Sequence, residues 1–234
     1  MSSHRRAGHI CMSIPANALP PVVDADEWAA QLAELRAEEK ALTKARDALA
    51  AKRRRLPMVE FPRAAEYRFT SDGPVANLVD LFEGRAQLIV YHVMYVPDGW
   101  CSGCSMFADS VGALEPLNAR DTTLAFVSET PWERLGPRRT EMGWRMPFYS
   151  CWGTEFPADT GTTTDDGFGI SVFLREGDRV YRTYFTKGRS TDALGNHWQF
   201  LDLTPFGRQE TWEDTPEGRP QTEPYQWWRF RQDY

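Results

Sequence analysis

The segment Leu88-Ile89-Val90-Tyr91-His92-Val93-Met94-Tyr95 is followed, after five further residues, by Cys101-Ser102-Gly103-Cys104. The first segment has the composition of a buried strand, and the residues after the second have a helical pattern. A helix that starts at Cys101 places this sulfur at the positive end of the helix dipole, which favours the thiolate, and places Cys104 about one turn inside the helix. This arrangement is typical of proteins that exchange thiols and disulfides.

The overall composition narrows the class of protein. A chain of 234 residues suffices for one main domain, and a net charge of −6 with a pI near 5.3 disfavours nucleic acid as a partner. The basic cluster 52–55 is interpreted as cations that complement a helix C-terminus, with nucleic-acid binding as the minor alternative. No stretch reaches the roughly 20 apolar residues of a membrane span, so we expect no membrane partner and a cytoplasmic location. Four cysteines, two of them in one CxxC motif, fit a reducing compartment.

The N-terminal part of the chain contains the clearest helical pattern. Residues 1–23 lack periodicity and are predicted to be a disordered tail, whereas 24–56 are predicted to form a helical arm. Apolar side chains recur along this arm at helical spacing: Trp28, Leu32, Leu35, Leu42 and Leu49. Glu39 and Arg46 fall on the same stripe, which disfavours a long coiled coil. Because the stripe must be covered somewhere, the arm suggests a homodimer.

Residues 57–234 are predicted to form the main domain, with a C-terminal extension rich in aromatic residues. Strands are expected at 67–70, 75–82, 88–95 and 122–128, with a helix from 105 to 114. A strand, a helix and a second strand in this order predict a parallel crossover. The segments 170–174 and 179–185, joined by a turn that contains glycine, predict a hairpin at the edge of the sheet. The fold class is therefore α/β.

The order of these elements resembles a family of bacterial thioredoxin-like proteins, family eight-nine-nine of the domains of unknown function, whose members are described as predicted dithiol–disulfide oxidoreductases. The resemblance covers 26–234 and rests on the segments 56–59, 80–85, 90–94, 101–109, 119–123, 142–145, 172–175 and 201–210. It implies a thioredoxin-like fold, with a central mixed sheet flanked by helices and the CxxC motif at the active-site helix. It implies no particular substrate.

Within this framework each candidate residue has an expected role. Cys101 is the expected nucleophile and Cys104 the resolving thiol, and Trp100 is expected to shield one side of the disulfide as part of the substrate site. His92 is the first candidate for a general acid or base near the buried thiol, since the unperturbed pKa of a histidine lies near neutral pH. A strand histidine bonded to the backbone is the alternative interpretation. The reaction itself requires no cofactor.

One departure from thioredoxin suggests a second function. Thioredoxins place a cis-proline before the terminal hairpin, facing the disulfide, whereas Gly169 occupies the corresponding position here. Without that proline a substrate cysteine or a metal could approach the sulfurs. Because His92 and Met94 alternate onto one strand face before Cys101 and Cys104, these four residues form a soft ligand set suited to copper. A copper-binding protein is therefore the alternative function, with Met94 as ordinary core packing the competing interpretation.

A third class is a non-catalytic interaction module whose CxxC motif is only structural. The expected partners of the catalytic forms are protein or small-molecule disulfides and thiols. Cys151 is a candidate third redox thiol, although a free cysteine is more often a small buried apolar residue. Cys11, in the tail, is interpreted as incidental.

Overall fold

The computed structural model of the chain describes residues 18–163 and 167–234. Most of the predicted tail, including Cys11, lies outside the described residues. The helices are α1 (Ala25–Arg53), α2 (Ser102–Asp109), α3 (Glu115–Asn118), α4 (Trp132–Met142), α5 (Phe156–Thr160) and α6 (Asn196–Leu201). The strands are β1 (Val59–Glu60), β2 (Gln87–Val93), β3 (Thr122–Ser128), β4 (Phe148–Ser150), β5 (Gly169–Glu176) and β6 (Arg179–Thr186). Short 3₁₀ helices occupy Asp80–Phe82, Gly188–Leu194 and Arg231–Asp233.

The strands form one mixed sheet in the order β1-β6-β5-β2-β3-β4. β2 and β3 are parallel on either side of the crossover that contains α2, as the sequence predicts. β5 runs antiparallel to β2, and β6 runs antiparallel to β5. A central parallel pair, an antiparallel hairpin and a CxxC motif at the helix after the central strand define a thioredoxin-like fold, which confirms the predicted fold class.

The two faces of β2 have different surroundings, because side chains alternate along a strand. Leu88 and Val90 belong to a core that also contains Phe156 of α5. Tyr91 points the other way, and its ring stacks on that of Phe107 in α2 with 4.4 Å between centroids. The CxxC helix therefore covers the Tyr91 face of the sheet.

Several predicted elements differ from the observed ones. Residues 67–70 and 75–82, both predicted to be strands, make only isolated bridges, from Phe69 to Ala76 and from Thr70 to Ser150. The end of the second segment, Asp80–Phe82, is a 3₁₀ helix. The predicted hairpin forms but is not at the edge, since β1 pairs with β6 outside it. The helix after the motif starts at Ser102 and ends at Asp109, before Gly112. α1 ends at Arg53, close to the predicted end of the arm.

The chain divides into two compact units. One contains 57–200 and 228–234, which include the whole sheet and the CxxC motif. The other contains the described part of 1–56 together with 201–227. In this second unit the Asp24 carboxylate caps α1 by accepting hydrogen bonds from the backbone of Asp26 and Glu27, and none of the side chains of α1 is buried. No helix in the described ranges is both long enough and apolar enough to cross a membrane.

Candidate active site

Cys101 is the N-cap residue of α2. Its backbone is extended, with φ −71° and ψ 109°, and its Sγ accepts a hydrogen bond from the Cys104 N–H at 3.1 Å. The pKa of Cys101 is lowered, chiefly by a hydrogen bond from the Cys104 thiol and then by the backbone N–H groups of Cys104 and Gly103, while partial burial opposes the shift. Because a capping position favours negative charge, Cys101 is the thiol of this pair that ionises first.

Cys104 has the opposite environment. It is only 3% exposed, and burial raises the pKa of its thiol well above the usual value, with the neighbouring Cys101 adding to the shift. Two groups work against this increase by donating hydrogen bonds to the sulfur, namely the Met94 backbone N–H and the Tyr91 hydroxyl. The two thiols are thus chemically unequal. Cys101 is half-buried and has a lowered pKa, whereas Cys104 is buried and keeps its proton.

Tyr91 is held against Cys104 by stacking. Its ring lies between those of Phe107, at 4.4 Å, and Phe126, at 4.9 Å. Burial, followed by the charges of Cys104 and Cys101, raises the pKa of Tyr91 well above its ordinary value. The hydroxyl therefore keeps its proton at neutral pH and can donate a hydrogen bond to a developing thiolate at Cys104.

His92 lies on the opposite face of β2. Its Nε2 is 2.8 Å from the Ser171 hydroxyl oxygen, and its ring stacks on Phe156 at 5.7 Å. Burial, with a smaller effect of Arg182, lowers the pKa of His92 to about 3, so the ring is neutral at physiological pH. The structure thus does not bring the predicted acid or base to the thiols, because adjacent residues of a strand point to opposite faces. The partner of His92 is a serine side chain instead of the backbone.

Gly169 shares a rung of the sheet with His92. A Cβ at this position would lie 2.8 Å from the Thr186 carbonyl oxygen and 3.0 Å from the Phe185 ring, which leaves no room for a side chain. Since residues on one rung project to the same face, a side chain at position 169 would point to the His92 face and away from α2. Close packing of β5 on β6 explains why position 169 is a glycine. A side chain there would point away from the two thiols, so Gly169 does not take the place of the thioredoxin proline beside the disulfide.

The predicted copper ligands are divided by the sheet. His92 projects to the face opposite the CxxC helix and is hydrogen-bonded to Ser171. The contact of Met94 with the Cys104 sulfur is made by its backbone N–H and not by its thioether. Among residues 18–163 and 167–234, no group of three or more His, Cys, Asp and Glu side chains is arranged to hold a metal ion. The four residues that alternation and spacing suggested as a ligand set therefore do not converge.

Trp100 lies beside the motif and is half-buried. The guanidinium groups of Arg134 and Arg138 in α4 lie over its ring, at 5.5 and 5.7 Å from the centroid. Arg134 also donates hydrogen bonds to the carbonyl oxygens of Pro97 and Gly99, the latter at 3.2 Å. Trp100 is thus part of a cation–π assembly that holds the loop before Cys101 against α4.

Cys151 is buried and lies in the hydrophobic core with Phe156. Burial, followed by the charge of Glu129, raises the pKa of its thiol. It lines a small cavity that His92 also lines, and His92 faces away from α2. A buried thiol with a raised pKa is unreactive, which disfavours a redox role for Cys151.

Sequence reasoning missed two residues that contact the motif. Tyr91 was passed over in favour of its neighbour His92, although alternation along β2 shows that only one of the two can face α2. Trp228 packs on Gly103, the third residue of the motif, so closely that a methyl group on Gly103 would overlap the indole ring. No local pattern around Trp228 indicates this contact, because it joins distant parts of the chain.

Comparison with solved structures returns proteins of low similarity to this chain. Xanthomonas campestris peroxiredoxin Q has 16% identity, a TM-score of 0.40, and coverage of 61% of this chain and 96% of its own. A Bacteroides vulgatus protein proposed to be a thiol-disulfide oxidoreductase has 13% identity, a TM-score of 0.39, and coverage of 58% and 87%. An uncharacterized conserved protein of Geobacillus kaustophilus has 16% identity, a TM-score of 0.36, and coverage of 54% and 65%. At these values the likeness says nothing about the reaction.

A search of curated proteins finds no match. A family model described as "Bacterial protein of unknown function (DUF899)" matches residues 17–234, which is nearly the whole chain. This agrees with the resemblance noted from the ordered sequence segments. The chain therefore belongs to the DUF899 family of bacterial proteins.

Proposed function

We propose that the protein is a thiol–disulfide oxidoreductase that uses Cys101 as the nucleophile and Cys104 as the resolving thiol. The observation that carries this proposal is the asymmetry of the pair: Cys101 caps α2 and accepts the Cys104 N–H at 3.1 Å, whereas Cys104 is buried. A lowered pKa at the attacking thiol and a raised pKa at the second are what sequential exchange needs.

In the first step the Cys101 thiolate attacks one sulfur of a substrate disulfide. A bond forms between Cys101 and that sulfur, the substrate S–S bond breaks, and the other half leaves as a thiolate that takes up a proton. Cys104 then loses its proton to solvent and attacks the Cys101 sulfur, which breaks the bond between Cys101 and the bound substrate half. That half leaves as a thiolate and takes up a proton. The products are the Cys101–Cys104 disulfide and a second substrate thiol, so one substrate disulfide is reduced while two protein thiols are oxidised.

Tyr91 is the residue we assign to the second step, in place of His92. Its hydroxyl donates a hydrogen bond to the Cys104 sulfur, and it stays protonated because burial raises its pKa. The Met94 backbone N–H supplies a second donor to the same sulfur. Together these donors stabilise the Cys104 thiolate at the moment when it must form inside the protein.

The test is a single-turnover reaction of the pre-reduced protein with oxidised glutathione. We expect two protein thiols to disappear for each disulfide reduced, and we expect Cys104→Ser to accumulate a mixed disulfide with glutathione at Cys101. Cys151→Ser, which removes the buried core thiol, is the control and should keep the wild-type stoichiometry. If Cys101→Ser reduces the disulfide as fast as the wild type, the mechanism is wrong.

The helical arm supports a further proposal about the partner of this protein, a second copy of the chain. Four apolar side chains of α1 at seven-residue spacing are each more than half exposed: Trp28, Leu35, Leu42 and Leu49. Glu39 and Arg46 interrupt the same stripe. In a parallel pair each of these charges would approach its own copy, whereas an antiparallel pair brings Glu39 towards the partner's Arg46. Charge complementarity therefore favours an antiparallel helix pair.

A further inference from the structure

Helix α2 is buried on every side. Six consecutive residues, Gly103 to Ala108, are buried, although a helix that packs on one face of a sheet normally leaves every third or fourth residue exposed. Phe107 accounts for the sheet side, through its contact with Tyr91. A second layer must therefore cover the outer side of α2, directly over the CxxC motif.

The C-terminal segment 228–234 supplies that layer, and we call it the C-terminal cap. The indole ring of Trp228 lies on Gly103, with no space for a side chain between them. The same ring meets Trp198 of α6 edge to face, with 5.5 Å between centroids. Gly103 is thus required at the third position of the motif because an indole ring occupies the place of its Cβ.

Two further contacts fix the cap along α2. The Arg231 guanidinium donates to the Asp109 carboxylate at 3.3 Å, at the C-terminal end of the helix, and to the Met142 carbonyl oxygen. The Tyr234 hydroxyl donates to the Met106 sulfur at 3.5 Å, in the middle of the helix. The cap therefore follows α2 from the motif to its last turn.

The cap is also joined to α4. The Arg138 guanidinium lies over the Phe230 ring, 4.7 Å from its centroid, and also over the Trp100 ring, 5.7 Å from its centroid. Trp100 immediately precedes Cys101, so one arginine links the cap to the loop that carries the nucleophile. The surface around the motif is in this way built from Trp100, Arg138 and the cap.

This arrangement limits what can reach Cys101. Exchange requires the attacked sulfur to approach the Cys101 sulfur directly, and its rate depends on access. A disulfide in a folded protein carries two peptide chains that need a surface on which to lie, and the cap occupies the surface over α2. Cys101 itself is only half-buried. A compact disulfide with no attached chain does not need the surface over α2 to approach its sulfur.

We infer that the C-terminal cap, through Trp228 on Gly103, restricts the dithiol to low-molecular-weight disulfides and excludes disulfides held in folded proteins. The inference rests on the proposed exchange function of Cys101 and Cys104. Trp228 acts here as a specificity-determining residue, because it occupies the surface on which a protein substrate would lie.

The experiment compares two substrates in single-turnover reactions of pre-reduced protein: oxidised glutathione as the small disulfide and insulin as the protein disulfide. For the wild type we expect a rate constant for glutathione at least about tenfold above that for insulin. Trp228→Ala should raise the insulin rate by about tenfold while the glutathione rate changes by less than about threefold. Trp152→Ala makes the same change at an exposed tryptophan, and it should change neither the glutathione rate constant nor the insulin rate constant.

Gly103→Ala provides a second test that keeps Trp228 in the chain. Its added methyl group must displace the indole ring, so it should raise the insulin rate in the same direction even if Trp228→Ala folds poorly. The inference is overturned if the wild type reacts with insulin as fast as Trp228→Ala and Gly103→Ala do. Loss of that reaction in Cys101→Ser would show that it proceeds through the proposed nucleophile. If the wild type reacts with neither disulfide, the proposed function fails and the inference with it.

Discussion

The six-membered ring of Trp228 occupies the position that a Cβ of residue 103 would take. A contact this close makes glycine obligatory inside the motif for a packing reason, since α2 itself would accept an alanine at this position. It also couples the C-terminus of the chain to the helix that carries both thiols.

The first prediction is a thermodynamic coupling between the two residues. Gly103→Ala should lower the free energy of unfolding by about 1–3 kcal/mol, because the methyl group overpacks against the indole. In a Trp228→Ala background the same change should be neutral or stabilising by up to about 1 kcal/mol, since alanine favours helix. Urea unfolding of the four reduced proteins measures the coupling. Gly112→Ala, where the Cβ enters open space, is the control; equal effects of Gly103→Ala in both backgrounds would contradict the contact.

The second prediction concerns the ionisation of Cys101. The largest cause of its lowered pKa is the hydrogen bond from the Cys104 thiol. We therefore expect the midpoint of iodoacetamide alkylation against pH to lie below that of a free thiol, and to move upward in Cys104→Ala. Cys104→Ser, which retains a donor, should move it less. An unchanged midpoint in Cys104→Ala would show that the backbone donors alone set the pKa.

Tyr91→Phe should slow the second step of exchange. The substitution keeps the stacked ring and removes the hydroxyl that donates to the Cys104 sulfur. Loss of a hydrogen bond to a charged group should slow the resolution of the mixed disulfide by roughly 10- to 100-fold. Quenched-flow mass spectrometry follows its decay. Tyr149→Phe, on β4, is the matched control, and a wild-type decay rate in Tyr91→Phe would remove Tyr91 from the mechanism.

His92 should affect the pH dependence of stability without affecting the thiols. Its folded-state pKa of about 3 lies below the ordinary value of 6.5, so between these values the unfolded chain binds a proton that the folded chain does not. This contribution to stability is complete above pH 6.5 and is lost as pH falls, by about 2 kcal/mol between pH 8 and pH 5.

His92→Gln should remove that part of the acid destabilisation, which urea unfolding at several pH values measures. His197→Gln, at an exposed histidine, should retain it. The alkylation profile of Cys101 should be the same in His92→Gln and the wild type. A shifted profile would mean that His92 communicates with the thiols after all.

The fifth prediction tests the antiparallel helix pair. Leu42→Asp places a charge near the middle of the exposed stripe of α1, so we expect it to convert a dimer to a monomer in light scattering after size exclusion. Glu39→Arg should weaken the dimer, and Glu39→Arg combined with Arg46→Glu should restore it, because the charges are exchanged. Lys44→Asp, on another face of α1, is the control. A wild-type monomer at all accessible concentrations would refute the proposal.

The sequence alone located the CxxC motif, the strand before it and the parallel crossover after it. These elements depend on local signals: a buried β-rich run, helical spacing, and glycine or proline where each element ends. The order of these elements predicted an α/β fold, the family resemblance implied a thioredoxin-like one, and the observed sheet confirms both. The pairing of β1 outside the hairpin was missed, because two residues carry no periodicity.

Only the tertiary structure decided which side chain of β2 serves the thiols. Alternation put Tyr91 and His92 on opposite faces, but the face that α2 would cover depends on how the crossover packs, which the residues of β2 do not encode. The contact between Trp228 and Gly103 depends in the same way on long-range packing. The sequence by itself therefore determined where the reactive sulfurs are, and the packing of distant segments determined their hydrogen-bond donors and what covers them.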